Sequence, residues 1–146
     1  MKTKIIHIVV EGPTDKAVLN EVLDLSMFNK VSWIVVRSKN NIASYVRTLR
    51  LMVEPRTKIL VVFDADVTNT EKAEESVYVM RQMSRAENDT ENIGFFAFVS
   101  DLETNLKIPK NIRKSEREYQ KFAKEHKQEM SSIDIITKIQ AFVGNE

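Results

Sequence analysis

Acidic residues stand just after three apolar runs of this chain, where their carboxylates could hold a cation. Asp64 and Asp66 form an Asp-x-Asp pair behind the strongest of these runs. Carboxylates held close together repel each other unless they are protonated or bridged by a cation. A set of oxygen ligands suits Mg²⁺ or Mn²⁺. The sequence therefore predicts a site for one or two such ions, whose candidate ligands are Glu11, Asp15, Asp64, Asp66, Asp101 and Glu103.

The apolar runs predict the strands that position these acids. Residues 59–63 are all apolar and too few for a buried helix, which is typical of a parallel strand covered on both faces. Similar runs occur at 5–10, 31–36 and 95–99, with helical spacing between them. Successive strand–helix units give parallel strands whose carboxyl ends share the ligand-binding edge of the sheet. We therefore predict an α/β fold with a Rossmann-like, four-stranded, mainly parallel sheet flanked by helices.

The helices predicted between these strands place further residues. Asp15 falls in the first turn of the first helix, where the helix dipole favours an anion, so a plain helix-start role is the alternative to metal binding. Thr70 is expected to cap the third helix, with Met80 and Met83 buried along it. Ser132 is expected to cap the last helix.

Length and composition limit the class of protein. The chain has 146 residues, 42% of them hydrophobic and 29% charged, as expected of one soluble domain. The net charge of +1 indicates no overall affinity for nucleic acid, so such affinity would need a local patch. The absence of cysteine excludes disulfides and thiolate metal sites. Because no run could serve as a signal peptide or span a bilayer, we expect a cytoplasmic protein with no membrane partner.

The composition becomes basic beyond Pro109. Residues 107–127 contain eight Lys or Arg residues against three Glu residues. A capping box at Ser115 predicts a helix there, and we expect residues 109–146 to form a C-terminal helical extension packed on an α/β domain of residues 1–108. A solvated helix face is the alternative to a nucleic-acid surface. The candidate nucleic-acid-binding residues are Arg113, Lys114, Arg117, Lys121 and Lys124.

The order of these motifs resembles the Toprim domain. Residues 9–15 read Val-Val-Glu-Gly-Pro-Thr-Asp, and residues 61–66 read Val-Val-Phe-Asp-Ala-Asp. With Leu102-Glu103 further on, they are most similar to the OLD (overcoming lysogenization defect) nuclease branch of that family, over about residues 4 to 108. The resemblance implies a Mg²⁺- or Mn²⁺-dependent nuclease that hydrolyses DNA or RNA by a two-metal mechanism. It also implies a role in phage defence or DNA repair.

The same resemblance implies roles for single residues. Glu11 would be a ligand or general base, Glu11 and Asp15 would share one metal environment, and Asp64 and Asp66 would belong to both ions. Glu103 would serve a second ion. A later lysine would stabilise transition-state charge, and the candidates are Lys107, Lys110 and Lys114, the first two being nearer the strand edge.

Two other functions compete with the nuclease. OLD nucleases carry an ATPase domain, and this chain has no Gly-x-x-x-x-Gly-Lys loop. A non-catalytic Toprim subunit that binds metal or nucleic acid beside a separate ATPase is therefore one alternative, and a homodimer is also compatible with the sequence. The lesser alternative is a haloacid dehalogenase-like phosphatase with Asp64 as nucleophile, because residues 64–68 read Asp-Ala-Asp-Val-Thr.

Overall fold

The fold is built on four parallel strands. A computed structural model describes residues 4–53, 57–84 and 92–144. The strands pair in the order β2-β1-β3-β4, and every pairing is parallel. This confirms the predicted four-stranded α/β sheet with Rossmann-like topology. The strands are β1 (Ile5–Val10), β2 (Lys30–Val35), β3 (Lys58–Asp64) and β4 (Ile93–Phe98).

Seven α-helices in the described residues flank this sheet, and one 3₁₀ turn, Lys39–Asn41, precedes the second of them. The helices are α1 (Pro13–Val22), α2 (Ile42–Met52), α3 (Thr70–Met83), α4 (Leu102–Leu106), α5 (Glu116–Glu125), α6 (Lys127–Ser131) and α7 (Asp134–Gly144).

Alternate residues of the central strands serve two separate cores. Ile8 and Leu60 belong to a core shared with helices α1, α5, α6 and α7. Their chain neighbours Val9 and Val61 belong to the core under α2 and α3 on the other face. Because side chains alternate across a strand, both faces of β1 and β3 are covered, which explains their unbroken apolar runs.

The strand order places a topological switch point between β1 and β3. The chain leaves β1 toward β2 on one side and leaves β3 toward β4 on the other. Connections that diverge in this way leave a crevice at the carboxyl ends of the two strands, where α/β proteins bind ligands. Glu11 follows β1 directly and Asp64 is the last residue of β3, so both lie at this crevice.

The C-terminal helix packs directly on β4 through a glycine. A methyl group added at Gly94 would lie 3.0 Å from ring atoms of Phe142, closer than ordinary contact. The Lys58 ammonium donates to Phe142 O (2.6 Å) and Val143 O (3.1 Å), which satisfies carbonyls at the end of α7. The last helix is therefore held by contacts with β3 and β4.

Three local expectations are wrong. Asn69, not Thr70, caps α3, since its side chain accepts from two backbone N–H groups of the first turn. Met83 is 55% exposed because it lies on the flank of α3 that borders a groove beside Ala43 of α2, and not on the flank that faces the sheet. Ser132 ends α6 rather than starting α7. The polar residues at 84–92 predict a loop, most of which lies outside the described residues.

Within the described part of the chain, no helix is both long and apolar enough to cross a lipid bilayer.

Candidate active site

The chain turns in the left-handed region two residues after each of three strands. Arg37 (φ 63°), Asp66 (φ 59°) and Ser100 (φ 67°) follow the ends of β2, β3 and β4. Such backbone is uncommon outside glycine and clusters at functional sites. The Asp66 N–H donates to Ser100 O (3.0 Å), which joins two of these turns. The carboxyl edge of the sheet is therefore a connected set of tight turns.

Two predicted acids are fixed to each other at the switch point. The backbone N–H of Asp64 donates to Oε1 of Glu11 (2.8 Å), so the Glu11 side chain crosses from β1 to the end of β3. The Asp64 carboxylate in turn accepts from the Leu102 N–H at the start of α4 (2.9 Å). These bonds connect the ends of β1, β3 and the β4–α4 loop.

Asp15 joins this group from the first turn of α1. Its Oδ2 accepts from the Gly12 N–H (2.9 Å), as expected of an acid at a helix start. Burial raises the pKa of Asp15, and the nearby charges of Glu103 and Glu11 add to this shift. Asp15 therefore has the helix-start role close to other acids, and its role as a metal ligand stays a prediction.

The pKa values show how much negative charge is concentrated here. Burial, followed by the charges of Asp15 and Glu11, raises the pKa of Asp64 to about 8, and the charge of Glu103 adds to the shift. Burial is also the largest cause that raises the pKa of Asp15 to about 6, while its bond to the Gly12 N–H opposes the shift. We call these four residues, Glu11, Asp15, Asp64 and Glu103, the carboxylate cluster.

Tyr119 connects the carboxylate cluster to the C-terminal helices. Its hydroxyl donates to Oε1 of Glu103 (3.4 Å), and its ring is buried on the inner face of α5. Burial and the charge of Glu103 raise the pKa of this hydroxyl to about 12, so it stays a hydrogen-bond donor near neutral pH. From helical spacing alone, Tyr119 is predicted only to be a buried residue of its helix, because its contact with Glu103 depends on how α5 packs.

Asp66 lies apart from the carboxylate cluster. Its left-handed backbone breaks the alternation that would place it beside Asp64, and its side chain is 65% exposed. Its Oδ2 is paired with the Lys39 ammonium at 2.7 Å. The role of Asp66 as a metal ligand or catalytic residue stays a prediction.

Lys39 brings a positive charge to the end of β3. Besides Asp66, its ammonium donates to the Asp64 carbonyl oxygen at 3.0 Å. From the sequence alone, Lys39 is one of two basic residues, with Arg37, just past β2, and this position is equally compatible with a phosphate contact and with a solvated charge. The contact was not predictable, because it depends on β2 lying two strands away from β3.

The predicted acids and lysines around α4 have several different positions. Asp101 caps α4 by accepting from the Thr104 N–H (2.7 Å), and this hydrogen-bonding to Thr104 lowers its pKa. Lys107 ends α4 in the left-handed conformation (φ 58°), and its side chain is exposed. Lys110 and Lys114 are also exposed, and the charge of each lowers the pKa of Asp101. The charge of Lys114 also lowers the pKa of Asp15, which places it near the carboxylate cluster.

The remaining basic candidates lie on the outer surface. Arg113 is exposed in the loop before α5. Arg117, Lys121 and Lys124 are exposed on α5 at positions that share one helix face, and helical spacing puts that face opposite buried Tyr119. Since Tyr119 points toward Glu103, these three cations point away from the carboxylate cluster. Their role in binding nucleic acid stays a prediction.

The chemistry of the carboxylate cluster fits a hard cation. Among residues 4–53, 57–84 and 92–144, no three acidic or histidine side chains are grouped closely enough to hold a metal ion as they stand. Glu11, Asp15 and Asp64 each accept a backbone N–H with one oxygen, and the second oxygen accepts no hydrogen bond from the described residues. An all-oxygen set with an excess of negative charge is what Mg²⁺ or Mn²⁺ requires. The six ligand assignments stay predictions.

Comparison with known proteins supplies no relative for this chain, since no family model, curated protein or solved structure matches it.

Proposed function

We propose that this protein is a Mg²⁺- or Mn²⁺-dependent phosphodiesterase that acts on nucleic acid. The observation that carries the proposal is the carboxylate cluster at the switch point, where Glu11 bonds to the end of β3 and the pKa of Asp64 is raised to about 8. Strongly perturbed acids in such a crevice are typical of functional sites. Structural ion pairs do not explain them, because their neighbours are mainly other acids.

The residues of the carboxylate cluster and the nearby lysines would have separate roles. Glu11, Asp15, Asp64 and Glu103 would hold the cation, which would supply Lewis-acid charge to a phosphodiester oxygen. Glu11 is held by the Asp64 N–H through one oxygen, so its other oxygen is available to a cation or to the proton of an attacking water. Lys39 and Lys114 would offset the charge of the incoming phosphate.

The finer assignment is a Toprim domain of the OLD-like branch. The motif order supports it, and so does the pairing of β1 with β3, which joins the Glu11 and Asp64 motifs at one crevice. Under this assignment, phage defence or DNA repair would be the cellular role, and a separate ATPase would be a partner. Asp66 would then have to leave Lys39 when a cation binds.

A cleavage assay tests the proposal. Purified protein is incubated with supercoiled plasmid, single-stranded DNA and RNA in Mg²⁺ or Mn²⁺, beside Glu11→Gln and Asp64→Asn. Both variants keep an oxygen that can accept the backbone N–H. Any loss of cleavage therefore reports the loss of the carboxylate charge. Asp134→Asn is the matched control, because it removes an exposed carboxylate from α7.

We expect wild type and Asp134→Asn to cleave, and the two cluster variants to lose at least about a hundredfold in rate. Equal cleavage by wild type and Asp64→Asn would refute the proposal. No cleavage of any substrate, together with metal binding that needs Asp64, would favour the non-catalytic subunit instead.

A further inference from the structure

An apolar surface covers the outside of α2 and α3. All the large apolar side chains that are exposed in the described residues belong to these two helices. They are Tyr45, Leu51, Met52, Tyr78, Val79 and Met83. Leu51 and Met52 are 79% and 76% exposed, respectively. We call this surface the α2–α3 face.

A groove runs along the middle of the α2–α3 face. It has a volume of about 670 Å³, and its floor includes Ala43, Phe63 and Met80. Val79 and Met83 line its α3 side. Helical spacing puts Leu51 on the flank of α2 that carries Ala43, toward this groove. Helices α2 and α3 cover one face of the sheet, and α1 with α5 to α7 covers the other. Nothing in the described chain lies over the outer side of α2 and α3.

The charges on this face complement each other when two copies meet. Helix α2 contains Arg47 and Arg50 and no acid, whereas α3 carries three glutamates, Glu71, Glu74 and Glu75, against the two cations Lys72 and Arg81. Glu71 and Glu75 are four residues apart, so they repel each other on the helix surface. Within the described residues, neither Arg47 nor Glu75 has an ion-pair or hydrogen-bond partner. A second copy would supply the opposite charge to each.

We infer that the α2–α3 face is the interface of a homodimer in which α2 of one copy packs on α3 of the other. A two-fold axis parallel to the helices and over the groove gives this arrangement, and every contact then occurs twice. In this arrangement, Arg47 of one copy pairs with Glu75 of the other. Leu51, Val79 and Met83 would meet near the axis, and Tyr45 with Met52 would meet the partner's Tyr78.

The competing axis, perpendicular to the helices, would put α2 on α2. That arrangement makes the paired helices antiparallel, so Arg47, in the middle of α2, would meet the partner's Arg47 and would find no acid on the partner's α2. Because like charges across an interface are unfavourable, the first axis is preferred.

Sedimentation equilibrium across a dilution series tests the dimer. We expect wild-type protein to be a dimer, and Leu51→Glu to weaken association by about a hundredfold or more, since two charges would enter an apolar contact. Leu51 is so exposed that the variant should fold normally, which circular dichroism checks. Ala141→Glu is the control, because it adds the same charge to an exposed position of α7 on the opposite layer.

Charge reversal tests the pairing of α2 with α3. Arg47→Glu and Glu75→Arg should each weaken the dimer by about tenfold, and the double variant should restore it to within about threefold of wild type. A wild-type monomer at every concentration would overturn the inference, as would a dimer unaffected by Leu51→Glu. Single reversals that weaken the dimer without restoration in the double variant would overturn the α2-on-α3 arrangement.

Discussion

Replacing Asp64 with Asn should stabilise the metal-free protein, and more so as the pH rises. The pKa of Asp64 is raised from 3.8 to about 8 by burial and by its acidic neighbours. An unfolded chain therefore loses this proton at lower pH than the folded chain does. Since the folded state binds more protons between these values, the Asp64 carboxyl makes the free energy of unfolding fall as the pH rises from about 4 to about 8.

The size of the effect follows from the shift. Each pKa unit corresponds to about 1.4 kcal/mol, so the difference between 3.8 and about 8 sets an upper limit of about 6 kcal/mol. Asp64 is only partly buried, so solvent screening reduces this to about 2–3 kcal/mol near pH 8. The side-chain oxygen of Asn can still accept the Leu102 N–H, so that hydrogen bond is kept. The expected rise in Tm is about 5–10 °C.

Urea unfolding in EDTA measures this difference at about pH 4, 6 and 8. Asp64→Asn and wild type should be nearly equal at the lowest pH and should diverge as the pH rises. Asp134→Asn removes an exposed carboxylate, so its free energy of unfolding should equal that of wild type at each pH. A variant that is less stable than wild type at pH 8, or a difference that does not depend on pH, would refute the reasoning.

Four further predictions concern substrate, charge and packing. Glu11→Gln should abolish cleavage while changing the free energy of unfolding by less than about 1 kcal/mol, since its amide oxygen still accepts a backbone N–H; a large loss of stability would make Glu11 a structural residue. Lys39→Ala should lower the cleavage rate about tenfold and flatten the salt dependence of binding by about one unit, and an unchanged slope would contradict a phosphate contact. Lys114→Glu should weaken nucleic-acid binding more than Lys124→Glu does, measured by fluorescence anisotropy; the reverse order would assign binding to the outer face of α5. Gly94→Ala should destabilise the fold by about 1–3 kcal/mol in urea, because its methyl group would press on an aromatic ring, and an unchanged midpoint would contradict that close contact.

Several parts of the site were predictable because they follow from strand ends. An apolar run that stops at an acid places that acid at the carboxyl edge, and parallel pairing then brings Glu11 and Asp64 together. Asp15 was predictable too, since the first turn of α1 must begin beside β1. The fold class followed from the same strand–helix alternation.

Other parts depend on geometry that spacing does not encode. The left-handed turn at Asp66 sends that side chain to Lys39, although Asp-x-Asp alternation suggests a common face with Asp64. The position of Lys114 relative to Arg117 and Lys124 depends on how α5 packs through Tyr119, a long-range contact. The basic segment therefore has Lys114 near the carboxylate cluster, whereas Arg117 and Lys124 lie on the far side of α5.

The exposed apolar surface was also beyond sequence reasoning. The Met residues of α3 have the helical spacing of core residues, and Met80 is indeed buried. Met83 is exposed, because it borders the groove between α2 and α3 and does not face the sheet. Periodicity identifies an apolar position, but only the packed structure tells whether the chain itself covers it.

Calorimetric titration with Mn²⁺ near pH 7, in two buffers of different ionisation enthalpy, tests most directly whether the carboxylate cluster is a cation site. Since the pKa of Asp64 is about 8, its carboxyl is mostly protonated at this pH, and a bound cation must displace that proton. Wild type should bind Mn²⁺ and release close to one proton per ion, whereas Asp64→Asn should bind far more weakly and without that release. No binding by wild type, or equal binding by Asp64→Asn, would contradict the assignment of this cluster as the metal centre.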